Sequence, residues 1–148
     1  MISRIMSEPT RPTGALGNLL ARMNPELQPG CFVFVSLDSR EIETEVLASA
    51  GCQAWINESE GPCAVLSQEE AERLGLPFES VWAWITLGVF SDLEAVGLTA
   101  AVSGSLARAG LSCNMLAGLH HDHLLVPFDA AEDALLTLER LSAIFRSE

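Results

Sequence analysis

The sequence predicts an α+β protein in which two related units share one sheet. Three observations carry this. From residue 81 onward, apolar runs and helical stripes alternate in the order β-α-β-β-α. From residue 31 the same order recurs in shorter form, as β-α-β-β-α with a weak first helix. Finally, Glu60-Gly-Pro-Cys-Ala-Val-Leu-Ser-Gln-Glu-Glu-Ala echoes His121-Asp-His-Leu-Leu-Val-Pro-Phe-Asp-Ala-Ala-Glu, each passing from a polar turn to a strand, a cap and a helix. One copy of about 65 residues is marginal as a free domain, and two copies sharing a sheet cure that.

The elements follow in order. Residues 1–13 contain Arg4, Glu8, Pro9, Arg11 and Pro12 without an apolar run, so they read as a tail and not as a secretory signal. Gly14 to Met23 sets Leu16, Leu19, Leu20 and Met23 at helical spacing, with Thr13 as N-cap. Asn24-Pro25 and Pro29-Gly30 are breakers around a loop. Cys31 to Leu37 is a near-continuous run of β-formers, hence a buried strand. Asp38 to Ala50 is weakly patterned, with Ile42, Val46 and Leu47 marking a short helix. Gly51 to Ile56 reads as a strand, 57–61 as a polar turn and Cys63 to Leu66 as a strand. Ser67-Gln-Glu-Glu70 is a capping box whose helix stops at Gly75.

Val81 to Leu87 opens the second unit, so the predicted units are 14–80 and 81–148. Ser91-Asp-Leu-Glu94 is a second capping box, and its helix runs from Asp92 to Ala109 with a small-residue stripe of Leu93, Val96, Gly97, Ala100, Ala101 and Gly104. Leu111 to Gly118 and His123 to Pro127 are strands joined across Leu119 to Asp122. Asp129-Ala-Ala-Glu132 caps a last helix with Ala134, Leu135, Leu138, Leu141 and Ile144 on one face. Nothing after Ile144 forms a closing strand, so the first strand or helix of the chain is the substitute.

Composition narrows the role. The hydrophobic share is 49%, enough for a core, and no stretch approaches the length of a membrane helix. Eight arginines, no lysine and 20 acidic residues give a net charge of −12, which excludes nucleic acid and anionic lipid as main partners. Cys31, Cys52, Cys63 and Cys113 match no metal or redox spacing; reduced thiols in a cytoplasmic protein are the expectation.

Three places offer chemistry. The turn Gly88 to Leu93, at the start of the Asp92 helix, has free N–H groups suited to a carboxylate, and no GxGxxG or Walker pattern points to a nucleotide. His120-His-Asp-His123 puts His121 and His123 on one strand face; with Cys113 they are the residues for a metal site or an activated thiol, against the alternative of a hydrogen-bonded polar hairpin. Trp82 and Trp84 share one sheet face, as core or as an interface.

Two long stretches carry a family resemblance: Trp84-Ile-Thr-Leu-Gly-Val-Phe-Ser-Asp-Leu-Glu-Ala-Val-Gly-Leu-Thr-Ala-Ala-Val-Ser and Gly110-Leu-Ser-Cys-Asn-Met-Leu-Ala-Gly-Leu-His-His-Asp-His-Leu-Leu-Val-Pro. The chain resembles small bacterial proteins with two ACT units in tandem, and is similar to the ACT units of the eukaryotic cytosolic arginine sensor, over about residues 14–145. The resemblance implies a ferredoxin-like βαββαβ fold used twice, with an antiparallel sheet and helices on one face. It also implies a non-enzymatic regulatory protein that binds an amino acid without a cofactor or metal and acts through a protein partner, with a homodimer as one assembly. Family sites use the turn after the first strand, which here is Phe90, Ser91, Asp92 and Leu93 with Val96 and Gly97 behind it. Asn114, Met115 and Leu116 face it by the same correspondence, and Glu58, Glu60 and Asp122 are the acids for an amino group. The rival roles are a metal-dependent enzyme on the His120–His123 cluster and a ligand-free assembly module on the tryptophan face.

Overall fold

Two segments of alternating large apolar residues, Phe32–Ser36 and Trp82–Leu87, form the middle of the sheet. Alternation puts Val33, Val35, Ala83, Ile85 and Leu87 on the face covered by helices, and Phe32, Phe34, Trp82 and Trp84 on the other. The computed structural model describes residues 15–37 and 44–146. Its elements are α1 (Ala15–Ala21), β1 (Pro25–Leu27), β2 (Phe32–Ser36), α2 (Thr44–Ser49), β3 (Ala54–Glu58), β4 (Gly61–Ser67) and α3 (Gln68–Arg73). They are followed by β5 (Trp82–Leu87), α4 (Leu98–Arg108), β6 (Asn114–Ala117), β7 (Asp122–Pro127), a 3-10 turn (Phe128–Ala130) and α5 (Ala131–Arg146). All pairings are antiparallel, in the order β3-β4-β2-β5-β7-β6, with β1 also on β5.

The segment expected as a loop at Asn24–Gly30 contains β1, which pairs Pro25, Glu26 and Leu27 with Leu87, Thr86 and Ile85. A proline is tolerated there because it opens a short strand. β1 and β2 therefore lie one after the other along the same edge of β5, with β2 joined at the single pair Phe32–Trp82. The chain's first strand thus fills the place of the closing strand that the second unit lacks. Leu20 and Met23, from α1 and the residues after it, are fully buried in the same core as Ile85, Leu98, Val102, Leu106, Leu124 and Leu138.

The internal repeat is strict in register. Ala54 opposes Val65 as Asn114 opposes Leu125, and Glu58 opposes Gly61 as Gly118 meets His121 through an N–H···O bond of 2.9 Å. Phe34 opposes Val65 as Trp84 opposes Leu125. The hairpin positions that correspond are Gly61 and His121, not Glu60 and His121 as the sequence echo aligns them. A slip of one residue matters because it exchanges the two faces of a strand.

Several expected elements are corrected. The helix predicted from Asp92 begins at Leu98, because Gly97 sits at φ 101° in the left-handed region and breaks the turn before it. Asp92 caps only a local turn, its Oδ1 accepting from the Glu94 amide at 3.0 Å. The buried stripe of α4 is Leu98, Val102 and Leu106, whereas Leu93 and Val96 are exposed. The strand β3 extends through Asn57 and Glu58, into the predicted turn. Asp129 lies in the 3-10 turn without a side-chain cap. On α5 the buried line is Ala131, Ala134, Leu138 and Ser142, and Ile144 falls outside it. Cys63 alone of the four cysteines is inside a strand, and all four are free thiols. The Ser67 cap is present, accepting from the Glu70 amide at 3.2 Å, but the Glu70 carboxylate turns to Arg73 at 2.7 Å and does not close the box. Thr13 and Ile42, expected in a cap and a helix, lie outside the described residues.

Gly97 and Gly104 make a contrasting pair. A Cβ on Gly97 would lie 2.6 Å from Leu16 Cδ2 and carry a positive φ, so Gly97→Ala should cost about 2 kcal/mol in urea unfolding. Gly104 is inside α4, with only the flexible end of Arg108 at 3.4 Å, so Gly104→Ala should stabilise by about 1 kcal/mol. Equal effects of the two variants would contradict the placement of the α4 start.

Candidate functional site

Residues 88–97 leave the top of β5 as a loop, and both neighbours hold its start. The amides of Gly88 and Val89 donate to the carbonyls of Asn24 and Met23 at 3.0 and 3.2 Å, and that of Ser91 donates to His120 at 3.0 Å. The Phe90 amide between them has no acceptor among the described residues. The Ser91 hydroxyl, 5% exposed, donates to Asp122 Oδ2 at 2.9 Å, and His121 Nδ1 meets the Val89 carbonyl at 3.1 Å. The Phe90 ring packs on His120 with centroids 5.2 Å apart. The loop is thus latched to the β6–β7 turn, at a net value of about 1 kcal/mol for each hydrogen bond.

A hollow of about 330 Å³ lies where this loop passes α1, lined by Asn18, Leu19, Arg22, Gly88, Val89 and Phe90. Arg22 follows the last turn of α1, is exposed, and has no side-chain partner among the described residues. Sequence analysis missed Arg22, because only the pairing of β1 with β5 carries it to this loop.

The predicted site residues are divided by the fold. Phe90, Ser91 and Asp122 come together, with Asp92 next in the loop. Leu93, Val96 and Phe90 are exposed, at 66%, 86% and 64%, and Gly97 packs on Leu16. Glu58 and Glu60 are not brought near them: the antiparallel order places the β3–β4 turn at the opposite end of the sheet from the β6–β7 turn. There Glu58 accepts from the Cys63 thiol at 3.1 Å. Met115 packs on the helix-side core, Leu116 turns to the other face and Asn114 is exposed.

The histidines do not converge either. His123 joins Trp84 and Thr86 on the helix-free face, whereas Cys113 packs against the helix-side core. Burial pushes the Cys113 thiol up, the reverse of an activated nucleophile. No group of three His, Cys, Asp or Glu side chains able to hold a metal ion occurs among the described residues. Among the described residues, no helix is long and apolar enough to cross a membrane.

A cleft of about 610 Å³ opens on the helix-free face. Trp84, Thr86, His123, Leu116 and Gly118 line it from the second unit, and Phe32, Gln53, Trp55 and Ile56 from the first. Trp82 and Trp84 are therefore on the face opposite the helices, half-buried and buried, in a cluster with Phe32, Phe34, Val65 and Leu125.

Comparison with known proteins agrees with the fold. Two ACT domain models match the chain, over residues 13–83 and 79–140. Their overlap falls on the start of β5, the strand that pairs with both β1 and β2. A crystal structure of a Vibrio cholerae protein of unknown function is 38% identical, covers 86% of this chain and 95% of its own, and superposes with a TM-score of 0.75. An Agrobacterium tumefaciens protein at 14% identity covers 80% and 87% with a TM-score of 0.66. The regulatory subunit of aspartate kinase from Thermus thermophilus, at 12% identity, covers 79% and 95% with a TM-score of 0.58. No curated protein matches the sequence. The chain belongs to the ACT-domain family and carries two ACT units in tandem.

A pH effect follows from His123. Burial and the nearby His121 hold it below the usual histidine range, against the opposing pull of Asp122. The unfolded chain takes up the proton first, so this contribution is complete above about pH 6.5 and is lost as pH falls below that value. Urea midpoints at pH 7.5 and 5.5 should therefore differ less in His123→Gln than in the unaltered protein; identical pH slopes would contradict a neutral His123.

Proposed function

We propose that this protein is a regulatory module that binds an amino acid at the β5–α4 loop and acts through a partner chain. The observation that supports it is the hollow that Arg22 lines together with Gly88, Val89 and Phe90. A zwitterion needs both its charges satisfied when it leaves water. Arg22 and the free Phe90 amide supply donors for a carboxylate. Asp92, two residues further along the loop, supplies a carboxylate for the ammonium group. The larger cleft lacks that pairing, since no Asp, Glu, Lys or Arg lines it. Ser91 and Asp122 act here as positioning residues, spending their side chains on each other.

The net charge of −12 favours a cationic amino acid through steering, and the resemblance to the arginine sensor points the same way. Regulation through a partner is supported by the fold-level likeness to the regulatory subunit of aspartate kinase from Thermus thermophilus. A homodimer and a cytoplasmic location accord with this role and belong to the same proposal.

Melting curves against the common amino acids at millimolar concentration test the proposal, with zinc and manganese as separate arms. A ligand at 100 times its dissociation constant adds about 2.7 kcal/mol, several degrees in a domain of this size. The expected result is a shift with one amino acid or one related group, lost in Arg22→Ala and in Asp92→Ala. A shift with metal alone, or an amino-acid shift unchanged in both variants, would refute the assignment.

A further inference from the structure

The cleft on the helix-free face is more than a gap between two half-sheets. Its polar groups are few and fixed. The Trp84 indole N–H, which can only donate, reaches Thr86 Oγ1 at 3.2 Å and His123 Nδ1 at 3.3 Å. The Thr86 hydroxyl lies 3.0 Å from the same His123 Nδ1. The indole and the hydroxyl can both donate to Nδ1 in the tautomer that carries the ring proton on Nε2. Protonating Nδ1 would set its N–H against the indole N–H, in keeping with the lowered basicity of this histidine. Nε2 is left as a donor of fixed direction beside Gly118, where a Cβ would come within 3.1 Å of it and 2.7 Å of the His121 carbonyl.

The same framework occurs once more in the molecule. By the register of the repeat, Phe34, Ser36, Cys63 and Glu58 are the counterparts of Trp84, Thr86, His123 and Gly118. They line a second hollow of about 390 Å³. Phe34 meets Trp82 with ring centroids 6.0 Å apart, as Trp84 meets Phe32 at 5.5 Å. Duplication kept the geometry and changed the chemistry: the first unit's hollow is acidic, with Glu58 and Glu60. The larger cleft has no Asp, Glu, Lys or Arg, in a chain with 28 of these residues.

We propose that the larger cleft is a second binding site, separate from the β5–α4 loop, for an uncharged flat molecule that carries an amide or ring carbonyl. The carbonyl accepts from His123 Nε2. The flat body lies against Trp84, Phe32 and Leu116, and the Gln53 side-chain oxygen takes an amide N–H at the rim, since Gln53 Nε2 is already donating to the Gly51 carbonyl at 2.8 Å. A charged ligand is excluded because nothing in the lining compensates it. The size is that of small-molecule sites in general, and the lining mixes aromatic and aliphatic side chains with uncharged polar ones.

Nicotinamide is a suitable probe, with benzoate as its charged counterpart of the same size. Titration into the full-length, 15N-labelled protein at neutral pH should move the Trp84 indole N–H and the His123 ring nitrogens saturably, in the millimolar range. Benzoate should leave them in place. His123→Phe keeps a ring on Trp84 and removes the donor, and should weaken nicotinamide binding about tenfold, the value of one hydrogen bond. Arg22→Ala should leave nicotinamide binding unchanged, which separates this site from the amino-acid site. The proposal is overturned by non-saturating shifts, by benzoate binding equally well, or by an unchanged affinity in His123→Phe. It is overturned as well if the Trp84 signal responds to protein concentration and not to probe, which would make the face an interface between copies.

Discussion

The structure depends on one strand edge. β5 presents a single edge to two partners in succession, β1 over Ile85–Leu87 and β2 at Trp82. That edge closes the second ACT unit with the first strand of the chain and joins the two units into one sheet. Antiparallel pairing leaves no free choice of register here. Leu27 must face Ile85 for the apolar side of β5 to stay under the helices, and Phe32 must face Trp82 for the aromatic side to remain opposite them. The second unit takes its edge strand from the first, and the aromatic cluster of Phe32, Phe34, Trp82 and Trp84 on the helix-free face spans both units.

The same edge determines where the two hollows lie. By holding β1 against β5, it brings Arg22 to a hollow shared with the loop after β5, in a protein of net charge −12. On the opposite face it sets Phe32 across from Trp82 and diagonal to Trp84, so that the aromatic residues of the two units form a common floor. One hollow is polar and charged, the other neutral and flat. The division follows from the alternation of a strand, since residues at odd and even positions of β5 serve different layers.

Much of the fold was legible in the sequence, because long periodic segments carry strong signals. The strands at 82–87 and 32–36, the Ser67 cap and the last helix all stand out by pattern. The missing closing strand was legible as an absence, and the N-terminus as its substitute. The strand β1 itself was hidden behind Asn24-Pro25, whose local chemistry is that of a break; its pairing with β5 is a tertiary fact. The false helix start at Asp92 arose because Ser91 and Asp92 have the composition of a cap while doing other work, Ser91 on Asp122 and Asp92 on Glu94. The true start depends on Leu16 occupying the space beside Gly97, a contact between residues 81 positions apart in the chain. Of the site, the loop and its link to Asp122 could be expected, but Arg22 and the Trp84–Thr86–His123 cluster could not, since each joins residues from separate elements.

The central claim, that a strand from the first unit closes the edge of β5 in the second, is tested most directly by native-state hydrogen exchange of the protein in low urea. The account predicts that the amides of Gln28 and Gly88, which donate to the Trp84 and Asn24 carbonyls at 2.8 and 3.0 Å, exchange only through global unfolding, at the free energy shown by Leu124 in the buried core. Exchange of Gln28 and Gly88 through a separate opening of much lower free energy, with Leu124 still protected, would contradict it.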